Sequence, residues 1–195
     1  MILLRKAKEQ DLPIIQKIAA IAWEPTYVPI IGRQQVDFML EKMYSKGALL
    51  GQLMKGDIFL IAGLNGKDVA FVSYSVEEHE DHVYKLHKLY VLPEHHGEGL
   101  GKFLINEVVN KVREAGGKTL ELNVNRANDA KVFYERMGFT IKKTVDIAIG
   151  NGFFMNDYVM EMVISWLLFQ FRDAAWRIYA FNNADGTFRN GLDGR

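Results

Sequence analysis

Residues 95–102 read His95-His96-Gly97-Glu98-Gly99-Leu100-Gly101-Lys102. Upstream runs VYKLHKLYVL, residues 83–92, an apolar strand-like stretch. Downstream, Lys102 to Ala115 has helical periodicity and is stopped by Gly116-Gly117. A glycine-rich link from strand to helix has a physical meaning. Glycines let the backbone approach a phosphate closely, and the free N–H groups at the helix start, with the helix dipole, attract its negative charge. Glycine loops also serve as plain tight turns, so spacing has to separate the possible ligands. A dinucleotide fingerprint needs glycine where Lys102 stands, and a P-loop needs four residues between its glycines and Ser or Thr where Phe103 stands. Both patterns fail. A methyltransferase-like GxGxG is met by Gly97, Gly99 and Gly101, with Glu121 at a distance suited to binding ribose. Against it, this loop follows a hairpin pattern instead of opening a parallel sheet.

Working outward, IFLIAGL (58–64) and VAFVSYSV (69–76) flank Asn65-Gly66, the signal of a tight hairpin. Before them, Ile2 to Arg5 is a short apolar strand, and Leu12, Ile14, Ile15, Ile18, Ala19 and Ala22 are spaced for a helix. A second helix is predicted from Arg33 to Tyr44, with Val36, Met39, Leu40 and Met43 on one side. Between the two, WEPTYVPIIG (23–32) is predicted as a loop because Pro25 and Pro29 break the pattern, and it is placed to line a pocket. After the glycine loop and its helix come the strand TLELNVN (119–125), a helix from Asn128 to Met137 and a hairpin turning at Gly150-Asn151-Gly152. These elements make one α/β domain over 1–164. In the extension 165–195, Leu167, Leu168, Phe171, Ala175, Ile178 and Tyr179 predict an amphipathic helix followed by a loose tail. Such an apolar face is expected to pack on this domain or on a second copy, as a homodimer.

Composition narrows the partners. The 24 basic and 24 acidic residues cancel, so the overall charge steers the chain neither to nucleic acid nor to an anionic membrane. The absence of cysteine removes thiol nucleophiles and thiolate metal sites. MILLRKAKEQ lacks the apolar core of a signal peptide, and the longest apolar stretch, 159–171, is interrupted by Glu161, Ser165 and Gln170. A cytoplasmic location is therefore expected. His79 and His82, around Glu80 and Asp81, are read as a solvated turn without a metal, since no third spaced ligand accompanies them.

The loop and the helix after it resemble the GNAT superfamily of acetyl-coenzyme A dependent N-acetyltransferases. His96-Gly97-Glu98-Gly99-Leu100-Gly101 follows that family's Gln/Arg-x-x-Gly-x-Gly/Ala pattern in its glycines, with His96 departing at the first position. Asn128, Ala130, Phe133-Tyr134 and Gly138-Phe139 follow its Asn-x-x-Ala-x-x-Phe/Tyr-Tyr-x-x-x-Gly-Phe pattern. The resemblance implies a mixed, centrally splayed sheet flanked by helices, with the C-terminal helix as an addition. It implies that Leu89, Tyr90 and Val91 pair with pantetheine, that His96 through Lys102 hold pyrophosphate, and that Asn128 and Tyr134 lie by the thioester. It further implies direct attack by a neutral amine, with no metal.

An alkyl ammonium of pKa about 10.4 is only about 1 part in 2,500 neutral at pH 7, a cost of roughly 4.6 kcal/mol. A base or water relay is therefore useful, and His87 on the strand before the loop is the candidate. By strict alternation it shares a face with Leu89 and Val91. Asn123 could orient a water. Tyr134 matches the family's acid, which protonates the departing thiolate. Trp23, Glu24, Tyr27 and Phe153 fall in the two loops that flank the family's acceptor site, where Glu24 suits a polyamine and an N-terminal peptide amine is the other choice. A non-catalytic acyl-coenzyme A sensor is the alternative from a different class.

Overall fold

The hairpin at Asn65-Gly66 forms as its sequence dictates, with both residues at positive φ (51° and 78°), in a computed structural model that describes residues 2–77 and 80–164. The predicted helix over 165–181, the tail after it and His79 lie outside the described residues. Strands β1 (Ile2–Lys6), β2 (Ile58–Leu64), β3 (Lys67–Val76), β4 (Val83–Val91), β5 (Thr119–Asn125), β6 (Thr140–Gly150) and β7 (Phe153–Val163) make one sheet in the order β1-β2-β3-β4-β5-β7-β6. Every described pair is antiparallel except β4 with β5. That pair holds only from Val83 to Leu86 against Thr119 to Leu122. Beyond it the two strands splay, leaving the edge of β4 from His87 to Val91 without a partner on the β5 side.

Helices α3 (Leu100–Glu114) and α4 (Ala130–Arg136) cover one face of the sheet, and α1 (Leu12–Tyr44) and α2 (Lys46–Met54) cover the other. The first layer buries Leu104, Ile105, Val108 and Val112 against Leu86, Leu120, Leu122 and Met160. The second buries Leu12, Ile15, Ile18, Trp23, Val36 and Leu49 against Phe59, Ile61 and Phe71. Each large apolar side chain so buried contributes roughly 1.5–3 kcal/mol.

The region 23–32 differs from its prediction. It is not a loop: α1 runs helical through Pro25 and Pro29, and the only non-helical residue within it is Gly32, at φ 77° and ψ 160°. An interior proline costs about 3 kcal/mol through its missing N–H and a clash with the preceding turn. Packing offsets this, because Trp23 is 3% exposed and its ring lies 4.5 Å from that of Tyr27. The helix α2 had no counterpart in the sequence reading. Gly47 and Gly51 weaken its local signal, although Ser45 caps it, with Oγ accepting from the Ala48 amide at 3.3 Å. Helix α3 starts two residues earlier than predicted, and α4 is shorter than 128–137, with Asn128 in the turn before it, where its Oδ1 accepts from the Ala130 amide at 2.9 Å.

Strict alternation on β4 also fails. Ser73 pairs with Lys88 and Tyr74 with Leu86, so His87 is the extra residue of a β-bulge. Leu86 and Leu89 both face the α3–α4 layer. His87, whose Nε2 meets Ser75 Oγ at 2.8 Å, points with Lys88 toward the α1–α2 face. It does not share the face of Leu89 and Val91.

Candidate functional site

The splay opens a cleft of about 830 Å³, lined on one side by β4 from Leu86 to Val91 and on the other by β5 from Leu122 to Val124. Its floor comes from the glycine loop and from Asn128 to Ala130 with Phe133 and Tyr134. Gly97 and Gly99 take positive φ (84° and 81°) with nothing within 4 Å of where a Cβ would stand. Backbone conformation, not lack of room, therefore demands glycine there. Gly101 differs, since an added Cβ would meet the Phe133 ring at 3.2 Å, so it sets how closely α3 approaches α4. No amide from Gly97 to Lys102 donates to a backbone carbonyl among the described residues; the first to do so is Phe103, to Gly99 at 2.9 Å. A row of free N–H groups at the positive end of a fifteen-residue helix is suited to a pyrophosphate. The unpaired edge of β4 is likewise suited to an extended amide-bearing chain. These features fit coenzyme A.

On the α1–α2 face lies a second cavity of about 170 Å³. Trp23, Tyr27, Tyr44 and Tyr90 form an aromatic wall, with the Trp23 ring 5.5 Å from Tyr44 and 6.2 Å from Tyr90. Tyr27, His87, Lys88, Tyr90 and Asn123 line both cavities, so the two meet at the splay.

The meeting point is rich in titratable groups. Burial holds the His87 imidazole below its ordinary value, with Asp57 pulling the other way, so it is neutral near pH 7. Burial likewise pulls the Lys88 ammonium down to about 8. Lys88 donates to Gln52 Oε1 at 2.7 Å and stands 5.4 Å over the Tyr44 ring. Asp157, 4% exposed, lines the second cavity and accepts from Asn123 Nδ2 at 3.3 Å. Burial raises its pKa, and the Asn123 bond opposes the rise. Burial also raises the pKa of Tyr134 and of Tyr27, keeping both phenols protonated.

Most of the predicted site residues converge here. Leu89, Tyr90, Val91, His96, Gly97, Gly99, Leu100, Gly101, Lys102, Asn128 and Tyr134 line the cleft. Glu98 does not, being turned toward His95 Nδ1 at 3.2 Å. His96 spends its Nε2 on the Val91 carbonyl at 3.0 Å, which ties the loop to the end of β4. Among the expected acceptor residues, Trp23 and Tyr27 line the second cavity, but Glu24 is on the exposed side of α1, bound to Arg33. Helical phase explains this: once the segment is helical, Trp23 and Tyr27 share a face that Glu24 cannot. Phe153 packs on Phe38 with centroids 5.4 Å apart and lines neither cavity. Lys88 and Asp157 were missed. An acid in the middle of the apolar run FFMNDYVM was the available signal for Asp157.

Among the described residues no three of His, Cys, Asp or Glu converge as metal ligands, and no helix is long and apolar enough to cross a membrane. The glycine loop opens a β4–α3–β5 parallel crossover, but the other described strand pairs are all antiparallel, which is unlike the extended parallel sheet that the methyltransferase alternative requires.

Comparison with known proteins agrees with this geometry. Residues 55–141 match the family model described as an acetyltransferase (GNAT) domain. A spermidine N(1)-acetyltransferase of Thermoplasma acidophilum is 26% identical over 164 residues, covering 81% of this chain and 94% of that protein. The crystal structure of PaiA N-acetyltransferase from Thermoplasma acidophilum in complex with coenzyme A shares the fold, with a TM-score of 0.71 at 24% identity over 84% of this chain and 99% of that one. A ribosomal-protein-alanine N-acetyltransferase from Brucella melitensis gives a TM-score of 0.62 at 26% identity, covering 83% and 99%.

Proposed function

We propose that the chain is an N-acetyltransferase of the GNAT superfamily that acetylates a primary amine entering from the α1–α2 face. The observation that carries this reading is the meeting of the two cavities at five shared residues, which gives the acyl donor and the amine separate entrances to one point. Acetyl-coenzyme A, held by Leu89 to Val91, the loop from His96 to Lys102, and Asn128, supplies an activated acyl group as a thioester.

The chain's own residues handle the protons. Asp157 receives the incoming ammonium by charge, beside a wall of aromatic rings. His87, neutral because of burial, accepts the proton directly or through a water, and so leaves the nitrogen lone pair free for direct attack. Asn123 donates to Asp157, which fixes the carboxylate, and its remaining amide group is available to a bridging water. Tyr134, kept protonated, donates to the sulfur as it leaves. A thiol-release assay with acetyl-coenzyme A and a panel of amino acids, polyamines and peptides tests the proposal. Release no faster than hydrolysis with every amine would overturn it and favour a binding-only sensor.

A further inference from the structure

We infer that the acceptor is a small primary amine that also carries an anionic group, with its ammonium at Asp157 and its anion at Lys88. This rests on the reading that an amine is acetylated where the two cavities meet.

The second cavity offers opposite charges on the two sides of the splay. Lys88 belongs to β4 and is held beside α2 by Gln52, whereas Asp157 belongs to β7 and is held by Asn123 of β5. They are not an internal ion pair. The charge acting on Lys88 is that of Asp57, and those acting on Asp157 are Lys85, Arg126 and Asp146. Each is thus left to answer a ligand. Gln52 takes one N–H of the Lys88 ammonium, which has two more to give. The indole N–H of Trp23, in the same wall and 3% exposed, is turned to the Tyr44 hydroxyl, which leaves Lys88 as the donor that faces the cavity. An ammonium with two N–H groups unspent beside a cavity calls for a group rich in lone pairs, such as a carboxylate.

The opposite fit is poor. A polyamine brings two or more cations, yet Asp157 is the only carboxylate among the described residues lining this cavity, and its second cation would face Lys88. At about 170 Å³ the cavity is below the usual range of about 300–1,000 Å³ for drug-sized ligands, so it suits a molecule of amino-acid size.

The test compares acceptors of equal length that differ in distal charge: γ-aminobutyrate, its amide and putrescine, then methionine and methioninamide, each with the full-length enzyme and saturating acetyl-coenzyme A. For at least one of the two acids, kcat/KM should exceed that of its amide about tenfold, the worth of one charged hydrogen bond, with putrescine below both members of its series. Lys88→Gln should collapse the acid-to-amide ratio, and Lys88→Arg should restore part of it. Preference for putrescine or spermidine, turnover of a peptide amine alone, or an unchanged ratio in Lys88→Gln would overturn this inference while leaving acetyl transfer standing. If no amine is turned over, the function proposed above falls. Calorimetry of methionine and γ-aminobutyrate with the coenzyme A complex then decides this inference separately: binding lost in Lys88→Gln supports it, and no binding overturns it.

Discussion

Leu86 and Leu89, three residues apart on β4, lie in the same core layer because His87 has no partner on β3 between Ser73 and Tyr74. Two consecutive side chains, His87 and Lys88, are thereby delivered to the α1–α2 face at the point where β4 parts from β5. A regular strand would have sent one of them into the α3–α4 core. The bulge therefore brings an imidazole and an ammonium to the splay together.

His87→Ala should remove the acidic limb of kcat/KM against pH. Around the imidazole stand Asp57, Ser75, Lys85 and Lys88; burial is the largest influence and holds its pKa below the ordinary value. The limb in the wild-type enzyme should therefore fall below about pH 6.5, with activity lost as pH drops and His87 takes up a proton. A pH–rate profile of both proteins checks this, and an identical limb in the variant would assign the proton transfer elsewhere.

Tyr134→Phe should lower kcat by about 100-fold or more, the usual worth of a general acid, with little change in the calorimetric Kd for acetyl-coenzyme A. The ring packs edge-on against Phe139 with centroids 5.7 Å apart, and phenylalanine preserves that contact. Near-normal turnover under conditions where chemistry limits the rate would leave Tyr134 a packing residue.

Asp157→Asn should raise KM for the amine and also raise Tm at neutral pH. Burial makes the folded pKa of Asp157 higher than its unfolded value, so the ionised carboxylate opposes folding. The wild-type protein carries no such penalty below the ordinary aspartate pKa and acquires it as pH rises through the folded value. The Tm advantage of the variant should accordingly shrink on acidification toward pH of about 4. An advantage that grows on acidification would contradict the assignment.

Two glycine variants should separate binding from stability. Gly99→Ala must hold φ 81° with a side chain, at a cost of about 1–2 kcal/mol, and calorimetry should show weaker acetyl-coenzyme A binding as the loop shifts. In Gly117→Ala the new Cβ would stand 2.8 Å from the Tyr84 ring and against Val112. Thermal melts should show a loss of about 1–3 kcal/mol, with cofactor affinity unchanged in the folded fraction.

Truncation after Ile164 should leave acetyl-coenzyme A binding intact while altering oligomeric state or solubility. Ile164 closes the last strand by donating its amide to the Lys118 carbonyl at 2.7 Å, and it is 4% exposed. Calorimetry and light scattering on the truncated protein distinguish the outcomes; a folded truncation unable to bind would put the extension in the site.

The amino-acid sequence alone carried the glycine loop, the hairpin turns and the order of the strands. Each of these is a local matter: a positive φ, a helix start or a two-residue turn is specified by residues within a few positions of one another. The tertiary structure alone decided the rest. Pro25 and Pro29 stay helical because Trp23 and Tyr27 pack into the sheet, and that same helical phase removes Glu24 from the site. His87 changes face because β3 skips it. Asp157 meets Asn123, and Lys88 meets Gln52, across separations of 34 and 36 residues. No local propensity encodes such pairs, because which buried charge finds which partner depends on how the strands register and where the sheet parts.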